Sequence, residues 1–399
     1  MDNLTILSQN VQHSRAGTQQ ILINADLYKS SILCIQEPYT YSDNVCGLTG
    51  YNVLSSANPK AVIATVLPNA LLIQQFTTVN FACVLFNDQQ PFLLISAYLS
   101  PNAPLEKDNT PSTTDVSLEE DLDHLSRIIS HYSSIPIIVT GDFNGWHPAW
   151  GSVASNQRGE AIFNFISSNQ LIIINDGITP TREVENSATF IDITFVNNKA
   201  IQLISNWRVL DETTHSDHNL ISFQILNSKP SPESSLTRIF KTKNINWDSF
   251  NLLAYKEINP YYERSRCLRT AEEVNDFVDA MTNTVITICK RTLPPNKPGK
   301  RVIYWYNEEL KLKHQQCKRL RRKWKRSNNQ FLKEAYLNHY IACLKEYKNQ
   351  LIMTKRNSIR QFFSVQDSSS VWKQVYKWCK TPKNLNQSLK TIKTDNGWT

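Results

Sequence analysis

Short apolar runs recur throughout residues 1–226, and their spacing leaves few folds open to this part of the chain. The runs are rich in β-branched and aromatic residues and are bounded by Asn, Asp, Gly, Pro or Ser, as β-strands are. We predict strands at Leu4–Asn10, Ile32–Gln36, Ala61–Leu67, Phe81–Phe86, Phe92–Tyr98, Ile135–Thr140, Leu171–Asn175, Phe190–Val196 and Leu220–Leu226. Helical patterns are fewer, at Thr18–Lys29, Ser117–Tyr132 and Glu160–Ser168. This combination predicts an α/β fold with two packed, mainly antiparallel sheets flanked by helices.

Charge divides the 399 residues into two parts. Residues 1–230 hold 10 Lys and Arg against 21 Asp and Glu, and the remainder holds 33 against 14, so the net charges are −11 and +19. Acidic segments often hold cations and basic segments often hold polyanions. Strand patterning also stops near residue 226, and helical spacing follows at Ala271–Thr292 and 307–349. We expect a domain at 1–228, a linker at 229–245 and a basic helical extension at 246–399.

Several classes of protein are disfavoured by composition. Mean hydropathy is −0.38, no apolar window is long enough to span a membrane, and the first residues do not resemble a secretory signal. The 8 cysteines lack Cys-x-x-Cys spacing, so we expect reduced thiols in an intracellular protein. The 10 glycines form no phosphate-binding loop, which argues against a nucleotide-dependent kinase or ATPase.

Polar residues that suit phosphodiester hydrolysis stand at strand ends. They are Asn10, Glu37, Asp142, Asn144, Asp192, Asp217 and His218. A desolvated carboxylate is costly unless it is paired or binds a cation, so these groups are expected to converge in one cleft. Each motif alone is more often a turn, a helix cap or a strand terminus than a functional site. Their joint order at successive strand ends favours a site.

The residue types suggest which groups bind a metal, which activate water and which act as an acid. Hard oxygen ligands such as Glu37 and Asp217 favour Mg²⁺ over zinc. A carboxylate beside an amide, as in Asp142 and Asn144, orients and deprotonates a water molecule. His218 serves as an acid or an electrostatic clamp, with its tautomer fixed by a carboxylate such as Asp192.

The ordered motifs resemble the endonuclease/exonuclease/phosphatase superfamily. They are Asn10, Gln36-Glu37-Pro38, Tyr98 to Pro101, Gly141-Asp142-Phe143-Asn144, Thr189 to Asp192, and Ser216-Asp217-His218. The longer block from Gly141 to Ser152, with Asn156 to Gly159, resembles endonuclease domains of non-LTR retrotransposon polyproteins of the jockey-like type. The resemblance covers about 1–226. It implies a four-layered α/β sandwich and metal-dependent nicking of DNA, which frees a 3′-hydroxyl for target-primed reverse transcription.

The resemblance also implies residue roles. Asn10 and Glu37 would bind the metal, with Asp217 as a further acidic residue there; the cofactor would be Mg²⁺, with Mn²⁺ as a substitute. Tyr98 would contact the phosphate, Asp142 would activate the water, Asn144 would hold the phosphate, and Thr189 would support the Asp192–His218 pair. One departure is Gln12, where repair-type apurinic endonucleases carry an acidic residue. This difference argues against a repair enzyme.

Two features have more than one interpretation. Trp146, His147 and Trp150 either stack on DNA or form a packed loop. The run 318–326 has seven basic residues in nine and is a solvated helix, a nucleic-acid contact or a nuclear-entry signal. Under the nucleic-acid interpretation, the binding residues are Arg319, Arg321, Arg322, Lys323, Lys325 and Arg326.

The sequence therefore predicts a Mg²⁺-dependent DNA endonuclease of retrotransposon origin. Its expected partners are double-stranded DNA and, through the basic extension, element RNA; no membrane partner is expected, and the expected location is nuclear. A polymerase signature is lacking, so we expect a fragment that does not copy RNA. Two alternatives are a catalytically silent nucleic-acid-binding remnant and another phosphoesterase of the same fold.

Overall fold

A computed structural model describes residues 3–87, 90–106, 116–184, 187–226, 247–266, 268–293, 303 and 305–364, with short strands at 393–394 and 397–398. The expected linker at 229–245 lies outside these residues, and the expected domain boundaries stay a prediction. The helices are α1 (Arg15–Leu27), α2 (Leu118–His131), α3 (Gln157–Ser168), α4 (Trp247–Ser265), α5 (Ala271–Thr292), α6 (Glu308–Arg326) and α7 (Gln330–Ser364).

The strands form two large sheets and three two-stranded ones. In chain order they are β1 (Leu4–Asn10), β2 (Ile32–Gln36), β3 (Thr40–Tyr41), β4 (Asn44–Val45), β5 (Asn52–Leu54), β6 (Ala61–Thr65), β7 (Ala70–Leu72), β8 (Phe81–Phe86), β9 (Phe92–Tyr98), β10 (Ile137–Asp142), β11 (Ile172–Ile173), β12 (Arg182–Val184), β13 (Ser187–Thr189), β14 (Asp192–Val196), β15 (Ile204–Leu210), β16 (Leu220–Ile225), β17 (Lys393–Thr394) and β18 (Gly397–Trp398). The large sheets have the orders β15-β16-β1-β2-β6-β5 and β11-β14-β10-β9-β8-β7.

Each large sheet contains one parallel pair among antiparallel neighbours. The parallel pairs are β1–β2 and β9–β10, while β16 and β14 run antiparallel to β1 and β10. The carboxyl ends of the parallel strands therefore lie beside the amino ends of β16 and β14. This edge is where the sequence places its polar residues.

The strands of both sheets are apolar on both faces because each sheet is covered twice. Ile138 and Leu94 pack between the sheets with residues such as Ile6. The neighbouring Val139 packs instead against helices α2 and α3, in a cluster that includes Leu125. Helix α1 covers the other sheet, with Ile21 against the strand residues of that face. The resulting order of helix, sheet, sheet and helix confirms the predicted four-layered α/β sandwich.

Local sequence signals explain where α2 begins and why β10 approaches β9 so closely. Ser117 accepts a hydrogen bond from the backbone of Glu120, and Glu120 accepts one from the backbone of Ser117, which completes the predicted capping box. In β10, a Cβ on Gly141 would lie 1.9 Å from the carbonyl oxygen of Ala97. Glycine is therefore required at this position, one residue before Asp142.

The chain divides into two compact units, residues 1–228 with 303–399, and residues 229–302. Within the second unit, α4 and α5 form a hairpin. The Tyr261 hydroxyl lies 2.8 Å from the Thr284 hydroxyl, and the ring of Tyr261 packs edge-on against Phe277. The predicted helix at Ala271–Thr292 is confirmed as α5.

Helices α6 and α7 form a second hairpin that packs on the sandwich as part of the first unit. Cys317 and Cys343 meet within this hairpin, while Tyr347 and Leu351 of α7 are buried in one apolar cluster with Ile23 of α1. Across the described ranges, no helix combines the length and apolar composition needed to cross a membrane.

Candidate active site

The candidate site is built around Asp142, the last residue of β10. Asp142 is 1% exposed. Its Oδ2 accepts a hydrogen bond from Asn10 Nδ2 at 2.9 Å, and its Oδ1 accepts one from the backbone N–H of Asn144 at 3.1 Å. Burial raises the pKa of this carboxyl group above its ordinary value. Asp142 is thus a fixed and unusually basic carboxylate, which suits a proton acceptor.

His218 lies on the other side of Asp142 and is paired with Asp192. Its Nδ1 is 3.0 Å from both carboxylate oxygens of Asp192, and its Nε2 is 3.8 Å from Asp142 Oδ2. Burial lowers the pKa of the imidazole, but the two carboxylates outweigh burial and raise the pKa overall. The geometry agrees with the predicted His218–Asp192 partnership and favours a protonated imidazole.

Thr181 holds the backbone of this pair. Its hydroxyl oxygen accepts hydrogen bonds from the N–H groups of Ile191 and Asp192, at 3.1 and 3.0 Å. Thr189, which the resemblance assigns to supporting Asp192, has a buried hydroxyl for which the described residues provide no hydrogen-bond partner.

Glu37 and Tyr98 form a second pair at the same edge. The Tyr98 hydroxyl donates to Glu37 Oε1 at 2.9 Å. Burial, followed by the nearby Glu37 charge, raises the pKa of Tyr98, so the phenol keeps its proton. Glu37 itself has the left-handed backbone angle φ 45°, and Asn144 has φ 51°. Such angles are uncommon outside glycine and often mark functional sites.

Asp217 is partnered by Arg182 and by Gln12, whose backbone N–H donates to Asn10 Oδ1 at 2.8 Å. Asp217 Oδ2 is 3.5 Å from an Arg182 nitrogen and accepts a hydrogen bond from Gln12 Nε2 at 3.1 Å. Its side chain is 43% exposed. Gln12, which stands where repair-type enzymes carry an acidic residue, therefore links the end of β1 to the segment before β16.

The donor set fits a hard divalent cation. Ligand atoms of Asp142, Asp192 and His218 lie within 4.8 Å of one another, but the close His218–Asp192 pairing suits acid–base work better than metal ligation. Glu37 offers a partly exposed carboxylate at the same edge, and Asn10 joins it to Asp142 through adjacent strands. This arrangement is rich in oxygen, as Mg²⁺ sites are.

A cleft of about 590 Å³ extends from Asn144. Its walls include Trp146, Arg158, Arg182 and Ile191. Arg158 is 7% exposed and donates through Nε to the carbonyl oxygen of Phe143. Its Nη2 is buried without a hydrogen-bond partner in the described part of the chain. Arg158 and Arg182 thus line a cleft that also has aromatic and apolar walls, while Arg158 Nη2 itself is enclosed by protein.

The loop after Asn144 is packed, with one exposed aromatic residue. Trp150 is fully buried and donates to the carbonyl oxygen of Gly145, and His147 stacks on Phe163 with a centroid separation of 4.2 Å. Trp146 is 48% exposed. Of the two interpretations, packing accounts for His147 and Trp150, whereas only Trp146 faces the cleft.

The predicted nucleic-acid residues of α6 lie in different surroundings. Arg321 is buried and contacts Glu183, Lys325 is 2.7 Å from Glu183, and Arg322 is 3.0 Å from Asp211. Lys323 lies over the ring of Tyr336, and Arg319 and Arg326 are exposed.

Sequence reasoning assigned no role to Thr181, Glu183 or Asn219. Asn219 directly follows His218 and donates to the carbonyl oxygen of Pro180 at 2.8 Å, so its position in the sequence was a usable signal. Glu183 gave no such signal, because its partners come from distant parts of the chain.

Comparisons with known proteins show what the chain is similar to. Residues 92–222 match the family described as "Endonuclease-reverse transcriptase". The chain is 23% identical over 343 residues, 80% of its length, to the "Putative 115 kDa protein in type-1 retrotransposable element R1DM" of Drosophila melanogaster, of which it spans 31%. It is 23% identical over 272 residues, 61% of its length, to a Pol polyprotein from type-1 retrotransposable element R1 of Bradysia coprophila, of which it spans 26%.

Two solved structures are similar to part of the chain. The endonuclease domain of TRAS1, a telomere-specific non-LTR retrotransposon, is 27% identical, aligns over all of its length and 57% of this chain, and gives a TM-score of 0.49. An AP endonuclease from Archaeoglobus fulgidus is 13% identical, aligns over 99% of its length and 56% of this chain, and gives 0.44. The family match and the R1 relatives confirm the predicted resemblance to endonuclease/exonuclease/phosphatase proteins of the non-LTR retrotransposon type.

Proposed function

We propose that the sandwich is a metal-dependent endonuclease that nicks double-stranded DNA and leaves a 3′-hydroxyl group for target-primed reverse transcription. The observation that carries the proposal is the convergence of buried Asp142, its Asn10 and Asn144 partners, and the His218–Asp192 pair at one edge of the sandwich. Grouping a fixed base with a cationic imidazole suits attack of water on a phosphodiester.

Asp142 is the proposed base. Hydrogen bonds from Asn10 and Asn144 hold its two oxygens in place, and its raised pKa lets the carboxylate accept a proton from water near neutral pH. Asn144 also donates to the carbonyl oxygen of Leu99, which orients its side chain. We infer that this amide positions the scissile phosphate.

His218 and Tyr98 are the proposed phosphate contacts. A protonated His218, held by Asp192, offers positive charge where the phosphorane charge develops. Tyr98 keeps its hydroxyl proton, which it donates to Glu37 in this structure and would donate to a phosphate oxygen when substrate is bound. Glu37, with Asn10, would hold Mg²⁺ or Mn²⁺, which neutralises phosphate charge and stabilises the leaving oxygen when bound. We propose Asp217 as an outer acidic residue rather than a direct ligand.

The DNA surface is proposed to include the cleft and the exposed cations of α6. The partly exposed Arg182 and the exposed Trp146, which both line the cleft, match the charge and stacking surface of a polynucleotide. Arg319 and Arg326 supply exposed positive charge, through which element RNA is a second proposed partner. A chromosomal target would place the protein in the nucleus, which microscopy of a tagged full-length chain tests.

A plasmid assay tests the proposal. The full chain should convert supercoiled plasmid to the nicked form in Mg²⁺, EDTA should stop the reaction, and a DNA polymerase should extend the nick without phosphatase treatment. Asp142→Ala and His218→Ala should abolish nicking. Asp123→Ala removes an exposed carboxylate of α2 and should leave the rate unchanged.

Circular dichroism of the Asp142→Ala and His218→Ala variants separates loss of chemistry from loss of fold. Nicking that persists in both folded variants would refute the proposed roles. Salt-dependent DNA binding by a wild-type chain that never nicks would favour the silent remnant instead. Hydrolysis of small phosphoesters without nicking would favour another phosphoesterase of the same fold.

A further inference from the structure

Arg321 of α6 is buried in a contact with the catalytic sandwich. Its side chain is 4% exposed. Its guanidinium donates to the carbonyl oxygen of Glu212 and to Asn219 Oδ1, and it lies 3.2 Å from Glu183 Oε2. A cation removed from water must have such partners, because an unpaired buried charge is strongly destabilising. Arg321 is therefore committed to the protein and inaccessible to a nucleic acid in this arrangement.

The partners of Arg321 are connected to the His218–Asp192 pair through the chain and through backbone hydrogen bonds. Asn219 directly follows His218, and its backbone N–H donates to the carbonyl oxygen of Thr181 at 2.7 Å. The backbone N–H of Glu183 donates to the carbonyl oxygen of Asp217 at 2.9 Å. Asn219 Nδ2 also donates to Glu183 Oε2 at 3.2 Å. The guanidinium thus joins the segment before β16 to strand β12.

Thr181 connects this network to the other half of the pair. Its hydroxyl oxygen accepts the N–H groups of Ile191 and Asp192, while its carbonyl oxygen accepts the N–H of Asn219. Both members of the His218–Asp192 pair are therefore tied to backbone that Arg321 holds in place. Neither β12 nor the residues before β16 are anchored by a long strand ladder, since β12 pairs with β13 over three residues.

We propose that Arg321 is a positioning residue of the endonuclease, and that α6 completes the active site from outside the sandwich. The inference rests on the proposed function. The guanidinium holds Glu183 of β12 and Asn219 in fixed positions. Because Asn219 follows His218, this contact also holds the His218 imidazole against Asp192. Small displacements of catalytic groups reduce rates strongly even when substrate binding is intact.

Further ion pairs hold α6 against the sandwich. Lys318 Nζ lies 2.7 Å from the buried carboxylate of Glu212, which also accepts a hydrogen bond from the Tyr28 hydroxyl at 2.6 Å. Lys325 reinforces the contact with Glu183. Burial raises the pKa of Glu183, but Lys325 and Arg321 lower it more, so this carboxylate stays charged. Opposite charges on α6 and the sandwich thus meet around Arg321.

The test compares Arg321→Met, Arg321→Lys and Glu183→Gln in the full chain. Arg321→Met should lower kcat for nicking by about tenfold to a hundredfold, with KM within about twofold of wild type. Arg321→Lys keeps the charge and should recover part of kcat. Lys311→Met removes an exposed cation of the same helix that pairs only locally with Glu308, and it should behave as wild type.

A readout independent of cleavage is the Nδ1 proton of His218 in metal-free protein, followed by NMR. In wild type it should exchange slowly because Asp192 accepts it. In Arg321→Met and Glu183→Gln it should exchange at least about tenfold faster at a temperature where both variants are folded. Glu183→Gln breaks the contact from the sandwich side, so the test survives if Arg321→Met does not fold.

The outcomes separate this inference from the proposed function. Unchanged kcat and unchanged proton exchange in the folded variants would overturn it. A rise in KM with unchanged kcat would also overturn it, because Arg321 would then contact DNA. Faster exchange in a chain whose wild type never nicks would uphold the positioning role and reject the endonuclease.

Discussion

His218 has two carboxylate neighbours but only one close partner. Asp192 is 3.0 Å from Nδ1, whereas Asp142 is 3.8 Å from Nε2. Asp192 therefore fixes the ring, and the weaker contact leaves Nε2 able to meet a phosphate oxygen. An imidazole buried without these charges would lose its proton, since burial alone lowers its pKa. The site thus depends on the Asp192 carboxylate beside His218.

Asp192→Asn tests this dependence. An amide keeps the shape of the side chain but removes its charge, so His218 loses the interaction that raises its pKa and fixes its tautomer. We expect the nicking rate to fall by about 10² to 10⁴, the usual contribution of acid–base groups, with the fold retained. Asp123→Asn, on the exposed side of α2, should have the wild-type rate; an Asp192→Asn rate equal to it would contradict the role of the pair.

At the residue scale, the sequence predicted the groups that end strands and missed those that hold them. Asp142, Asn10 and His218 were predictable because a buried strand seldom ends in a polar side chain without a partner. Thr181 and Glu183 lie in a short hairpin whose polar residues look like an ordinary loop. Their partners are set by tertiary contacts, which no local pattern encodes.

Strands predicted from apolar runs are mostly confirmed, and the exceptions have local causes. β15 was missed because a bulge between Ser205 and Arg208 and a left-handed Asn206 interrupt its alternation. The run at Leu171–Asn175 is a strand only at Ile172–Ile173. After Ile173, the side chain of Asn175 replaces backbone pairing with β14. It donates to the carbonyl oxygen of Asp192 and accepts from the N–H of Thr194.

Helix α3 fixes the loop that carries Asn144 through close backbone contact. A Cβ on Gly159 would lie 1.8 Å from the carbonyl oxygen of Trp146. Gly159→Ala should therefore displace the loop, lower the free energy of unfolding by about 1–3 kcal/mol, and reduce nicking. Ala161→Gly, in the same helix, should cost about 1 kcal/mol of stability yet leave nicking unchanged. Equal activity of the two variants in a plasmid assay would contradict the proposed coupling.

Helix α6 should dock less tightly in acid because His314 is buried. Burial lowers the pKa of His314 to about 4 from 6.5, so the folded state disfavours the proton that the unfolded chain accepts. The contribution of neutral His314 to the free energy of unfolding is complete above pH 6.5. It is lost as pH falls toward 4, at about 1.4 kcal/mol per pH unit.

Urea unfolding at pH 7 and pH 5 measures the contribution of His314. His314→Phe keeps the stack on Tyr347 without titrating, so it should lose less stability than wild type between these pH values. His339→Phe, on the exposed side of α7, is the matched control and should follow wild type. A wild-type pH dependence in His314→Phe would exclude His314 as the acid-sensitive group.

At the scale of the whole molecule, the acidic part of the chain and the basic helices α6 and α7 belong to one unit. The sequence revealed the charge asymmetry but assigned the basic run to solvent or nucleic acid. Its spacing cannot show that Arg321, Lys325 and Lys318 face Glu183 and Glu212, because those carboxylates are more than a hundred residues away. The packing of α6 on the sandwich therefore divides the basic residues of 318–326 into two groups. One group pairs with carboxylates of the sandwich, and the other is exposed and able to bind a polyanion.

This division predicts how DNA binding responds to salt. Arg319→Ala with Arg326→Ala removes two exposed cations, and the slope of log Kd against log salt should fall by about one for each phosphate that these side chains neutralise. Arg127→Ala with Lys199→Ala also removes two cations, but from α2 and the turn that binds Ser134, and should keep the wild-type slope. Equal slopes in the two double variants, measured by fluorescence anisotropy with a DNA duplex, would exclude α6 from the DNA surface. A smaller slope only in the first would identify the exposed side of α6 as the continuation of the catalytic cleft's DNA surface.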